Sequence, residues 1–253
     1  MPELRRPARP APVTSAFADT ARERLITAYA GAADPTRAAA MAAYMKDIGP
    51  FLGIPTTARR ALAKEALRGL PVPDEADCVA FALACRALPE REYRYAAVDL
   101  LRARIGRCTA AILPVVRELL VTDGWWDTVD LLAAHVVGPL ATAEPARVHP
   151  VLDRWIEGTE PGAPAGSEAD LWLARTAVLH QLAYKDRTDP ERLFRYCARR
   201  AEDPRFFLRK GIGWALRAYA KTDPDAVTAF VAAHRDRLAP LTVREALKHL
   251  GGA

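Results

Sequence analysis

The chain has 253 residues, of which 51% are hydrophobic and 26% charged, and its formal net charge is +5. That is enough apolar material for a large core, which excludes a disordered protein, and no run approaches the roughly 18 uninterrupted apolar residues that a membrane span needs. The positive balance suits a partner rich in phosphate.

Residues 1–15, with Pro2, Pro7, Pro10 and Pro12 among arginines, read as a flexible Pro/Arg-rich tail. No apolar stretch follows them as it would in a secretory signal. From residue 16 onward helix formers dominate, apolar positions recur at three- and four-residue spacing, and alternating Val/Ile/Thr runs are missing, so 16–253 reads as one all-α domain. The predicted helices cover 16–31, 36–47, 57–69, 75–87, 90–105, 109–121, 124–137, 145–157, 168–184, 190–201, 204–221, 224–238 and 242–249. Asp34-Pro35, Asp123-Gly124, Asp189-Pro190, Asp203-Pro204 and Asp223-Pro224 each combine an N-cap acceptor with a residue suited to the first turn and read as helix starts. Only Gly158 to Gly166 reads as a longer loop. Cys78, Cys85, Cys108 and Cys197 lack CxxC or zinc-site spacing and sit mostly among apolar neighbours, as reduced core thiols of a cytoplasmic protein would.

The helices repeat. The string from Trp172 to Tyr184 aligns with the string from Phe207 to Tyr219 at an offset of 207 − 172 = 35, pairing an aromatic, a Leu, a cation and a closing Tyr. Asp130-Leu131-Leu132 and Asp99-Leu100-Leu101 are weaker copies. A unit of that length is one helix pair, which predicts an α-α superhelix, a HEAT-like repeat solenoid whose concave face forms a groove. Arg59, Arg60, Arg91, Arg94, Arg175, Lys185, Arg209, Lys210 and Arg217 are the cations expected to make that groove basic, although charges of this kind equally serve to solvate outer helices.

Within Trp125-Trp126-Asp127-Thr128-Val129-Asp130, a helix sets Trp126 and Asp130 one turn apart on one face. An indole beside a carboxylate can hold a cation; the plain alternative is a core Trp next to a surface Asp. Arg175 stands in an otherwise apolar run and needs an anion, which either an acidic side chain or a phosphate supplies. Trp214 follows Gly211-Ile212-Gly213, and glycines that each cost about 1 kcal/mol inside a helix point either to close helix packing or to clearance beside the indole. Tyr44 taken alone reads as core. The histidines lack paired-ligand spacing and no phosphate-binding loop or nucleophile elbow occurs, so neither metal nor cofactor is expected.

The strings Tyr44-Met45-Lys46, Phe51-Leu52-Gly53-Ile54, Glu90-Arg91-Glu92, Trp125 to Asp130, Trp172-Leu173-Ala174-Arg175, Gln181 to Lys185 and Arg209 to Thr222 resemble, in order and over most of the chain, the DNA alkylation repair glycosylases of the AlkD type. The resemblance implies a monomeric HEAT-like enzyme that grips duplex DNA and hydrolyses the N-glycosidic bond of cationic N3- or N7-alkylated purines without base flipping. It implies that Trp126, Asp130 and Trp214 form the catalytic set, that Arg175 holds a backbone phosphate, and that Tyr44 flanks the site; Lys185, Arg209, Lys210 and Arg217 are the remaining expected DNA contacts. Either a simple methyl purine or a bulky natural-product adduct, the latter serving self-resistance, is compatible as substrate. Trp125 and Asp127 take the plain readings, packing and helix-start electrostatics. The rival readings are a non-catalytic repeat protein that binds DNA shape and a HEAT-like scaffold for proteins.

Overall fold

A computed structural model describes residues 15–250, which are helical with no strand among them. The predicted tail, apart from Ser15, lies outside the described residues. Fourteen α-helices follow one another: α1 (Ala16–Ala30), α2 (Pro35–Tyr44), α3 (Thr56–Ala66), α4 (Glu75–Arg86), α5 (Arg91–Arg104), α6 (Leu113–Val121), α7 (Trp126–Leu132), α8 (Gly138–Ala143), α9 (Pro145–Glu157), α10 (Glu168–Leu179), α11 (Pro190–Arg199), α12 (Phe206–Tyr219), α13 (Pro224–Ala233) and α14 (Pro240–Ala246). A π-helical turn, Ala133–Val137, joins α7 to α8. None of these helices is long and apolar enough to cross a membrane.

The stacking follows the repeat. One row runs α3, α5, α7, α10, α12, α14, each helix touching the next, while α4 pairs with α5, α9 with α10 and α13 with α14. The result is an α-helical superhelix. One core runs along it from Phe17 to Ala246, with Trp155 and Trp172 fully buried. Cys78, Cys85 and Cys197 are buried, unpaired thiols.

Three of the five Asp-led starts are caps as expected: Asp34, Asp189 and Asp223 each accept from the backbone N–H three residues on, with Pro at the next position. Two are displaced by two residues. Asp203 accepts instead from the backbone and guanidinium of Arg205, so α12 opens at Phe206. Asp123 turns left-handed (φ 51) and Trp125 is extended, so α7 opens at Trp126. The helix expected over 168–184 stops at Leu179, because Gln181 turns its side-chain amide onto the Asp189 backbone, donating at 3.1 Å and accepting at 2.8 Å. The loop from Gly158 to Gly166 is present, and Asp170 anchors its end by accepting from the Gly166 N–H and from Arg200 and Arg205.

Candidate active site

The fold places Trp126 and Asp130 together on α7, in its first and second turns, half-buried. Asp130 meets α10 across the row. Arg175 holds it with both arms, Nε to Oδ1 at 2.7 Å and Nη2 to Oδ2 at 2.8 Å, and Nη1 donates to the Phe207 carbonyl at the start of α12. The Arg175 side chain is 1% exposed and that of Asp130 16%. Among the described residues, the anion that answers the solitary arginine is the Asp130 carboxylate. These contacts take three of the five guanidinium N–H donors and leave one on Nη1 and one on Nη2. Burial pushes the Asp130 carboxyl above its ordinary range, outweighing the opposing pull of Arg175, and the nearby Asp127 charge adds to the rise.

The two glycines before Trp214 do different things. A Cβ on Gly211 would stand 2.9 Å from Arg175 Nη1, so this glycine makes room for the guanidinium that spans α7, α10 and α12. A Cβ on Gly213 would stand 2.5 Å from the Glu245 Cβ and 3.0 Å from the Thr242 carbonyl oxygen, so this one lets α14 approach. Gly213→Ala should lower stability by about 1–3 kcal/mol through overpacking, more than the roughly 1 kcal/mol that Ala gains in helix propensity. An unchanged denaturation midpoint would refute that reading of the contact.

Close approach of α14 also carries Glu245 to the site. Its Oε2 accepts from the Trp214 indole N–H at 3.2 Å and pairs with Arg217 Nη1 at 2.6 Å, which fixes the ring. Around that ring lie Lys210 Nζ at 5.4 Å, Arg175 Cζ at 5.5 Å and Arg217 Cζ at 5.9 Å from the centroid. Glu245 has no local signature in the sequence and only the packing of α14 on α12 reveals it.

On the other side, Trp126 and Tyr44 line one cleft of about 420 Å³ together with Tyr95, Asp127, Arg59 and Arg60. Tyr44, expected to read as core when taken alone, is 73% exposed at the end of α2. Asp127 is more than a helix-start charge: Arg91 holds it at 2.6 Å and 3.2 Å and the Tyr95 hydroxyl donates to it. Trp125 packs as expected, edge-on to Phe207 and tilted against Trp172.

Most of the cations expected to line a groove are engaged internally. Arg91 is completely buried on Asp127, Arg59 is buried against Asp99 at 2.9 Å, Arg60 shares Asp99, and Arg94 pairs with Asp123 at 3.0 Å. A buried guanidinium cannot be left without an anion, and the helix row supplies one from the neighbouring repeat. Arg209 donates from Nε to the Asp203 carbonyl at 2.9 Å. Lys210 and Lys185 make no ion pair among the described residues. Lys185 is not brought to Asp130; it lies past α10 in a separate cleft.

The family model for DNA alkylation repair enzymes matches residues 25–250. A solved structure, a predicted DNA alkylation repair enzyme from Enterococcus faecalis, superposes with a TM-score of 0.75 at 29% identity, covering 87% of this chain and 98% of that one. No curated protein matches. With the family model spanning nearly all of the described helices, the chain belongs to the DNA alkylation repair enzyme family.

Proposed function

We propose that this DNA repair protein is a monofunctional DNA glycosylase that releases cationic N3- or N7-alkylated purines from duplex DNA by hydrolysis of the N-glycosidic bond. The observation that carries the reading is the contact Asp130–Arg175–Trp214, a held carboxylate one turn after Trp126 on α7. Phosphate binding alone would not require that carboxylate.

An alkylated purine already bears positive charge and leaves readily, so no strong general acid is needed. Positive charge developing on the sugar is what needs stabilising. A carboxylate at about 4 Å contributes roughly 1 kcal/mol in water-like surroundings and about 4 kcal/mol at an effective dielectric near 20. Asp130, mostly shielded, tends toward the larger figure, and Arg175 holds it in place before the reaction begins. Asp130 also positions the attacking water. Of the three cations around Trp214, Arg175 and Arg217 are paired with Asp130 and Glu245, which leaves Lys210 to attract a phosphodiester, so Trp214 and Lys210 receive the backbone and deoxyribose. Trp126 offers its indole face to the cationic lesion, with Tyr44 at the rim of the same cleft. Duplex DNA carrying 7-methylguanine, incubated with the protein, should yield free 7-methylguanine and an abasic strand that stays intact until treated with alkali. Absence of free base overturns the reading and leaves a non-catalytic DNA-binding repeat protein.

The raised Asp130 titration gives a second test. The working form is the carboxylate, so protonation switches the enzyme off as pH falls. A group titrating above its ordinary range places that loss above the ordinary aspartate value of about 4. After subtraction of spontaneous depurination, the acid limb of kcat/KM should be centred above that value; a limb centred at or below it contradicts the assignment.

A further inference from the structure

Past the C-terminal ends of α10 and α12 lies a second cleft, of about 400 Å³, that the Asp130 site does not use. Its rim carries Lys185, Thr188, Lys221 and Thr222, and its floor is apolar, with Leu182 and Ala218. No carboxylate lines it, and neither lysine makes an ion pair among the described residues. What distinguishes the cleft is that two ammonium groups and two hydroxyl side chains share one rim with no carboxylate among its lining residues.

The rim is held rather than loose. Lys185 is in the left-handed region (φ 58), which a non-glycine residue seldom adopts, and the Thr188 hydroxyl donates to its carbonyl at 2.7 Å. The Gln181 amide fastens the same turn to Asp189. On the other wall, Lys221 and Thr222 follow α12 in the equivalent turn, which closes with the Thr222 N–H donating to the Tyr219 carbonyl at 2.8 Å. A cleft of this size with a cationic, hydroxyl-bearing rim and an apolar floor fits a ligand with a phosphate at one end and a sugar and base at the other.

We propose that this cleft is a nucleotide subsite, with a phosphate between Lys185 and Lys221 and the sugar or base over Leu182 and Ala218. Two sources offer that chemistry, a nucleotide of a DNA strand continuing along α12 from Trp214, or a free mononucleotide. The first source rests on the duplex-binding reading above; the second does not. Ala218 lies one turn beyond Trp214, about 6 Å along the helix, so the subsite is near the Asp130 centre yet separate from it.

The test is a titration of isotope-labelled full-length protein, followed by NMR, with deoxyguanosine monophosphate and separately with a short undamaged duplex. The mononucleotide should shift the amide signals of Lys185, Thr188, Lys221 and Thr222 saturably. Lys185→Gln combined with Lys221→Gln should weaken that binding by about tenfold or more, the spectrum otherwise superposing on the parent. Ala218→Leu, which fills the floor, should weaken the mononucleotide while inorganic phosphate still shifts the rim signals. A duplex that moves the same signals and displaces the mononucleotide identifies the strand as the source; a duplex that leaves them unmoved identifies a free nucleotide. No saturable shift at these residues, or equal affinity in the double lysine variant, overturns the subsite. Failure of the glycosylase reading would look different: no base release from alkylated duplex, with mononucleotide binding intact.

Discussion

Asp130→Asn should reduce release of 7-methylguanine from duplex DNA by about a thousandfold while leaving DNA affinity unchanged or slightly higher. The size follows from removing one charge at about 4 Å in a partly shielded site, about 4 kcal/mol, at 1.36 kcal/mol per factor of ten. The shape of the site makes the substitution informative. Asn keeps the size of Asp and leaves one oxygen for Arg175, so one of the two α7–α10 hydrogen bonds is kept at a stability cost that the melting curve reads, while the charge that faces the developing sugar cation is lost. Affinity should not fall, because a negative group near a polyanion opposes binding. Single-turnover release rates and equilibrium binding to the same duplex separate the two quantities, and a melting curve verifies the fold. Release at the parent rate would remove Asp130 from the mechanism, and a parallel loss of rate and affinity would make it a structural residue.

The sequence shows helices, their repeat and the pair on α7, because each rests on spacing along one chain segment: 3.6-residue periodicity, an offset of 35, and four residues between Trp126 and Asp130. The need of Arg175 for an anion is also legible, since a guanidinium among Leu, Trp, Ala and Val admits no other reading. Which anion answers it is not legible. Asp130 lies 45 positions earlier and Phe207 32 later, and only the stacking of α7, α10 and α12 makes them neighbours. Glu245 is hidden for the same reason, reaching Trp214 from 31 positions away through the gap that Gly213 leaves. The acidic partners of the other cations are equally hidden. Arg59, Arg91 and Arg94 look available in sequence, yet the neighbouring repeat supplies Asp99, Asp127 and Asp123 to each in turn. Helix starts shifted where a side chain had a stronger competitor than the cap, as Asp203 did in Arg205.

Arg175→Leu should destabilise the protein by about 3 kcal/mol, the lower end of the range for removing one partner of a buried pair, because the remaining carboxylate is partly exposed and can take up a proton. For a chain of this size that is a fall in Tm of roughly 6–12 °C. Adding Asp130→Leu should restore much of the loss, since with both charges gone no ion remains to be desolvated, although the Phe207 carbonyl still lacks its donor. The cycle distinguishes the two roles that an arginine here can have. If Arg175 serves Asp130, the double variant recovers stability, and in the single variant the salt dependence of duplex binding keeps its slope. If Arg175 instead grips a phosphate, the double variant recovers nothing and the slope of log affinity against log salt falls by about one unit in the single variant. With Nε and Nη2 on the carboxylate and Nη1 on the carbonyl, three of the five N–H donors are committed inside the fold, which is what favours the first outcome.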